Sequence, residues 1–468
     1  MPSEYALFSI RIRGAGPDSY TVDVQSSLGG DASGTFIAPT GNPRYQEIAA
    51  RLKNLDTDED VLIELGTLLF QSLFQAAIKE TYTRSQGGLT PNQGLRLRFD
   101  FDPSQTVIAG LPWEFLYDPD RGPLALLDTP VVRYLPQPSA QPTLLTSLPI
   151  KVLVTGAVTP PEPDVERELA EVRSALAALE DSGLIKIQVE EHLTQTILQR
   201  RLREGFQVWH FIGHGAWSRD GRSGTLQFED GTGSSKSVSA SELNILLNRS
   251  GLRLVMLDAC NSAELTVEPY RSVAPALVRA QIPAVIAMQF TAPQDATRAF
   301  AGEFYRTLAE GLPIDACVTE GRKAVMNETG LRNPDWGIPV VYTRAPDGKL
   351  FDLPPAPATA SAHNTGTSVS IGSGNVLRDT SSINISNVGN TTVTGSTVIS
   401  AKQREEEERA EQIESLEELI RVNTRKLNKL QLQAAQFGIS TPPHISIEIE
   451  DTEREVARLK KQLKALDG

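Results

Sequence analysis

The chain has 468 residues, 40% hydrophobic and 22% charged, with a formal charge of −13. That is long enough for more than one domain and apolar enough for a buried core. The acidic balance argues against nucleic acid or an anionic membrane as the main partner. Two cysteines exclude a disulfide framework, and no apolar run approaches the ~18 residues of a membrane span. The opening MPSEYALFSIRIRG has no basic stretch followed by an apolar one, as a secretory signal would. The expectation is a soluble cytoplasmic protein, where a reduced thiolate persists.

Residues 1–140 read as an α+β lobe. Tyr5–Arg13 alternates like a half-buried strand, Tyr20–Val24 is a second short strand, and Leu95–Phe101 a third. Residues 44–82 read as helices, with Val61–Ala77 the most apolar. Asp56, Asp58 and Asp60 have the spacing that opens a calcium loop. Val61 stands where the turn glycine belongs and Thr67 where the bidentate Glu belongs, so a helix N-terminus is the reading.

Residues 145–355 alternate strand and helix. Strands are expected at Ile150–Val158, Ile185–Glu190, Val208–Ile212, Leu252–Leu257, Ala284–Phe290 and Ile338–Thr343. Helices are expected at Val165–Leu179, Thr194–Arg203, Ala240–Leu247, Ser272–Ala280, Ala296–Glu310 and Ile314–Asn327. Such alternation means an α/β domain with a mainly parallel sheet covered on both faces, and ligands at the carboxyl ends of its strands. Residues 356–400, rich in Ser, Thr, Asn and Gly, read either as a linker or as a small β-solenoid. Residues 401–468 read as a coiled-coil-like helical hairpin. Its apolar stripe includes Ile413, Leu416, Ile420, Leu427 and Leu430, with Asn423 within it. One apolar face left over implies self-association or an adaptor for a sensor protein.

Two strand ends carry chemistry. An apolar strand runs into His214 between two glycines, and another runs into Cys260. A thiolate nucleophile needs an imidazole that takes its proton and returns it to the leaving amine. Backbone N–H groups of Gly215 and Cys260 are the natural donors for the developing oxyanion. His210, four residues earlier on its strand, and Cys317, within a predicted helix, read as core. No metal or other cofactor is expected. His210 and His214 lie on a strand without a Cys-x-x-Cys or Glu partner, and there is no G-x-x-x-x-G-K-[ST] loop.

At these motifs the sequence resembles the CHAT domain, the caspase-like domain of the separase and caspase clan of cysteine peptidases. The matching pieces are HFIGHGA with His214, the hairpin GTLQFEDG (224–231), LDACNSAEL with Cys260 and AVIAMQF (284–290). The helices of 299–325, WGIPVVYT (336–343), LPWEFLYDP (111–119) and TPVVRYLP (129–136) continue the match. The resemblance implies a caspase-like fold and an endopeptidase with a His214/Cys260 dyad acting on a partner protein. It also implies a bacterial setting in defence or regulated cell death. Asp258 matches the residue that favours a basic P1 side chain in metacaspase-like relatives; the alternative is an Asp that bonds loop amides. Gln289 and Asp295 are further candidates for lining the substrate pocket. The competing function is a catalytically silent scaffold assembled through 401–468. A thiol acyltransferase would use the same dyad.

Overall fold

The computed structural model describes residues 2–353 except 3, 15–18, 54–55, 102–104, 137–142, 158–163, 219–223, 261–272 and 291. Beyond them it describes only 427, 449, 452, 454 and 458–462. The chain divides into two compact units, Met1–Asn364 and Thr365–Gly468. The element expected at 356–400 and the hairpin expected at 401–468 lie outside the described residues, apart from those scattered helical positions.

The chain opens with β1 (Glu4–Gly14), β2 (Ser19–Ser26) and β3 (Gly30–Ile37), then α1 (Pro43–Lys53), α2 (Glu59–Leu73) and α3 (Ala76–Gly87). Asp58 begins α2 by accepting a hydrogen bond from the Val61 amide at 3.0 Å. This is the helix-capping role expected of that aspartate run. Next come β4 (Gln93–Phe101), α4 (Thr106–Ala109), β5 (Tyr117–Asp118), β6 (Gly122–Pro123), β7 (Val131–Tyr134) and β8 (Leu144–Leu145). The alternating half follows with β9 (Ile150–Gly156), α5 (Asp164–Asp181), β10 (Ile185–Glu190), α6 (Gln195–Arg201) and β11 (Val208–Trp217). It continues through the hairpin β12 (Gly224–Glu229) and β13 (Ser235–Ser239), α7 (Ala240–Leu247), β14 (Leu254–Cys260), α8 (Val273–Arg279) and β15 (Ala284–Met288). The last elements are α9 (Gln294–Ala309), α10 (Ile314–Thr329), β16 (Pro339–Thr343) and β17 (Phe351–Asp352). Ser239 and Glu242 cap α7 reciprocally.

One 13-stranded sheet in the order β10-β9-β11-β14-β15-β16-β7-β4-β1-β2-β3, with β12 and β13 branching from β11, runs through the unit. Strands of residues 1–140 and of 145–355 therefore share a single sheet. The neighbours from β10 to β15 are parallel, β16 runs antiparallel to β15, and β7, β4 and β1 follow β16. The result is a mixed, mostly parallel α/β sheet.

Register carries one side of the sheet from strand to strand. Trp209, Phe211, Val255, Leu257, Phe99 and Phe8 fall on one side and are buried. Phe8 meets Phe74 and Tyr82 of α2–α3, and Trp209 and Phe211 meet Phe228 of β12. The other side carries His210, Ile212, Met256 and Asp258 under α5 and α9. Toward β1 that same side opens to water, where Arg11 and Arg13 are about half exposed. The pattern explains why β11 and β14 read as continuous apolar runs while β1 alternates. Among the described residues no single helix is long and apolar enough to cross a membrane.

Candidate active site

β11 and β14 are adjacent parallel strands in the interior of the sheet, and His214 and Cys260 are the register partners with which their pairing ends. Strand spacing sets the backbones of such partners about 5 Å apart. His214 is the last β11 residue paired with β14, and Gly215 is the first paired with β12. The strand thus changes partners at the imidazole. His214, half-buried, thus lies within β11 at the point where its pairing passes from β14 to the hairpin. Gly213 is required just before it, because a Cβ there would lie 2.9 Å from the Phe211 ring. The hairpin is fixed to the sheet by Phe228, which packs on Trp209 and Phe211, and Trp209 donates to Thr155 Oγ1 at 2.9 Å.

The CHAT domain family matches residues 63–344, more than half of the chain. The chain belongs to the CHAT-domain family. No curated protein matches it in sequence. Among solved structures it is similar to the separase of Saccharomyces cerevisiae in complex with securin, at 14% identity and a TM-score of 0.36. That likeness covers 59% of this chain and 17% of the separase chain, so this chain spans under a fifth of that protein's length. It is also similar to the Arg-specific cysteine proteinase gingipain R, at 13% identity and a TM-score of 0.39, covering 65% of this chain and 76% of that one. A third likeness is to the Drosophila initiator caspase Dronc, at 10% identity and a TM-score of 0.27, covering 46% and 94%.

Within the CHAT domain, the three residues expected to line a substrate pocket lie in different surroundings. Asp258, two residues before Cys260, is buried under α5 and α9, with its Oδ2 4.0 Å from His210 Nε2. Burial raises its carboxyl to about 6, an effect that a side-chain hydrogen bond with Glu168 opposes. Gln289 is buried just past β15. Its amide donates to the Gly337 carbonyl at 2.7 Å and to Glu114 Oε2 at 3.3 Å. Asp295, in the first turn of α9, is about half exposed and pairs with Arg298 at 3.6 Å. Of the three, Asp295 alone is open to water, and Gln289 is committed to a buried network.

That network was not foreseen from sequence. Arg133 of β7 grips Glu114 with two bonds, 2.8 and 3.2 Å long, and donates to the carbonyls of Ala109 and Leu111 and to Tyr342 Oη. Both charged side chains are almost fully buried. Nearby Arg322 is fully buried and donates to the Pro339 carbonyl at 2.6 Å; burial lowers its guanidinium to about 10. Cys317 is buried in α10, with its thiol against the Leu312 carbonyl at 3.5 Å and its pKa pushed far up by burial. It is a core residue, as the sequence suggested.

His210 is also core. It is fully buried, its Nδ1 lies 3.3 Å from Tyr305 Oη, and burial pushes its imidazole down to about 3. A depressed histidine contributes stability that is fully present above its unfolded value of 6.5 and is lost as pH falls toward 3. The full effect is on the order of 5 kcal/mol. Asp258 pulls the other way below about 6, so the test is a difference. Urea unfolding at pH 7 and pH 4.5 is expected to show His210→Gln gaining on wild type at the lower pH. Equal pH slopes for the two proteins would contradict a neutral buried His210.

Proposed function

We propose that this CHAT domain is a cysteine endopeptidase. What supports the reading is the register pairing of His214 with Cys260 where the pairing of two adjacent parallel strands ends, toward their carboxyl side. His214 takes the proton of the Cys260 thiol, and the sulfur attacks the scissile carbonyl carbon. The carbonyl oxygen becomes an oxyanion held by the N–H groups of Gly215 and Cys260. As the C–N bond breaks, the imidazolium protonates the departing amine and a thioester remains. His214 then deprotonates a water molecule that attacks the thioester, releasing the new carboxylate and regenerating the thiol.

The substrate is a protein, and a basic P1 side chain would pair with a carboxylate of Asp258 or Asp295. Asp295 is the more accessible of the two carboxylates. The enzyme works in the cytoplasm of a bacterium, in defence or regulated cell death. Residues 401–468 assemble it or recruit it to a sensor. The test is incubation of the purified chain with a peptide library and an unfolded protein, followed by mass spectrometry of the products. Discrete cleavage sites with shared P1 chemistry support the peptidase. Intact substrates with every candidate partner present favour the scaffold.

A further inference from the structure

Gln289 follows the last residue of β15, the strand beside the one that carries Cys260. The pairing of β14 with β15 runs to Leu257 and Ala287, and Cys260 and Phe290 each lie three residues past that pair. Gln289 is held by backbone and side chain alike. Its main-chain N–H donates to the Ile338 carbonyl at 3.1 Å. Its side-chain amide nitrogen donates to the Gly337 carbonyl at 2.7 Å and to Glu114 Oε2 at 3.3 Å. Both acceptors are themselves fixed. Arg133 grips Glu114, and Gly337 lies so close to Phe115 that a Cβ there would be 2.2 Å from its ring. One amide nitrogen thus ties two turns, Trp113–Phe115 and Pro334–Gly337, to the end of β15.

We propose that Gln289 is a positioning residue which, through Glu114 and Gly337, sets the course of the connection from β15 to α9 as one wall of the substrate cleft beside Cys260. The proposal deepens the peptidase reading above, and it gives Gln289 an anchoring role in place of substrate contact. With 1% of its surface exposed, Gln289 is out of a substrate's reach. Both protons of its amide are used, while its Oε1 accepts no bond among the described residues, so the NH₂ group is what the place requires. A methionine would keep the length and lose both donors. The connection is short. Pro293 already accepts from the Thr297 amide at 3.0 Å, and α9 starts at Gln294. Gln289 fixes one end and the start of the helix the other, so slack at Gln289 reaches Asp295 in the first turn of α9. These bonds do not involve β11 or β14, so their loss spares the thiol and affects what the thiol is offered.

The test compares Gln289→Met with wild type, both as the full chain. Hydrogen exchange needs no substrate. The peptide spanning 289–296 should exchange at least about tenfold faster in the variant, because a hydrogen-bonded anchor of local structure is gone, while β9 keeps its wild-type rate. On a peptide substrate, kcat/KM should fall about tenfold, carried by KM, with a narrower preference for basic over neutral P1 residues. Labelling of Cys260 by iodoacetamide, which is too small to need the wall, should proceed at the wild-type rate. If Gln289→Met does not fold, Gln289→Asn makes the same comparison, because its amide is one methylene short of both acceptors. Unchanged exchange over 289–296 overturns the proposal whether or not the chain cleaves anything. Faster exchange in a chain that cleaves nothing in either form defeats the peptidase reading and leaves the anchor standing. A fall carried by kcat alone, or slower iodoacetamide labelling, places the effect at the dyad and overturns the role in the cleft wall.

Discussion

Cys260→Ala is expected to abolish cleavage and His214→Ala to lower kcat/KM by about three orders of magnitude, with both variants unfolding near the wild-type urea midpoint. Removing the sulfur removes the only atom that forms the acyl intermediate, so no residual covalent route exists. Removing the imidazole leaves the thiol mostly protonated and the leaving amine without its proton, and general acid–base catalysis of this kind contributes roughly 10²–10⁴-fold. The double variant should be no slower than Cys260→Ala, because residues that act as a unit are not additive. Small stability effects are expected because His214 is only half-buried. Cleavage by Cys260→Ala at a tenth of the wild-type rate or more would assign the chemistry to another group.

Arg133→Met destabilises the fold by roughly 3–5 kcal/mol, because it leaves the Glu114 carboxylate buried without its cation. Glu114 is fully buried and takes both forks of the guanidinium, with Gln289 as its remaining donor. Adding Glu114→Leu should restore only part of the loss. Arg133 also satisfies the carbonyls of Ala109 and Leu111, which would remain without a donor. Guanidinium unfolding of wild type, the single variant and the double variant gives the three values. A loss below about 1 kcal/mol in Arg133→Met would mean that Glu114 is buried protonated. The network matters to the site because Gln289 lies just past β15, the strand beside β14.

Much of this architecture is legible in the sequence. The apolar strands that end at His214 and Cys260, and the helices between them, give themselves away by length and periodicity. α7 was expected at Ala240–Leu247 and is found there. The strand β3 was not foreseen. GDASGTFI has no clear apolar alternation and most of its residues face water; it is held at the sheet edge by backbone pairing with β2 and by one buried anchor, Phe36, packed on Tyr20 and Trp113. Nor do local patterns report sheet order. β4 was expected within the lobe of residues 1–140 and β7 was not read as a strand at all, yet β7 lies between β4 and β16 and joins both halves of the chain in one sheet.

The buried polar groups were the least legible part of the site. Glu114 sits inside LPWEFLYDP and Arg133 inside TPVVRYLP, two segments noticed for their resemblance rather than for opposite charges among apolar neighbours. A charged residue flanked on both sides by large apolar ones was the available signal. Glu168 and Tyr305 lie on amphipathic helices, and nothing in their spacing tells that both point at β11 and β14. That information exists only once the helices are placed on one side of the sheet.

The reactivity of the Cys260 thiol decides between peptidase and scaffold, and the chain carries its own control because it has two cysteines. The purified chain should be treated with a peptide bearing an electrophilic carbonyl, at limiting reagent, and digested for mass spectrometry. Cys260 is expected to be labelled at least about a hundredfold faster than Cys317, whose buried thiol resists ionisation. His214→Ala should remove that advantage. Equal labelling of both cysteines in the native protein, or labelling of Cys260 at the same rate with and without His214, would contradict a His214–Cys260 dyad.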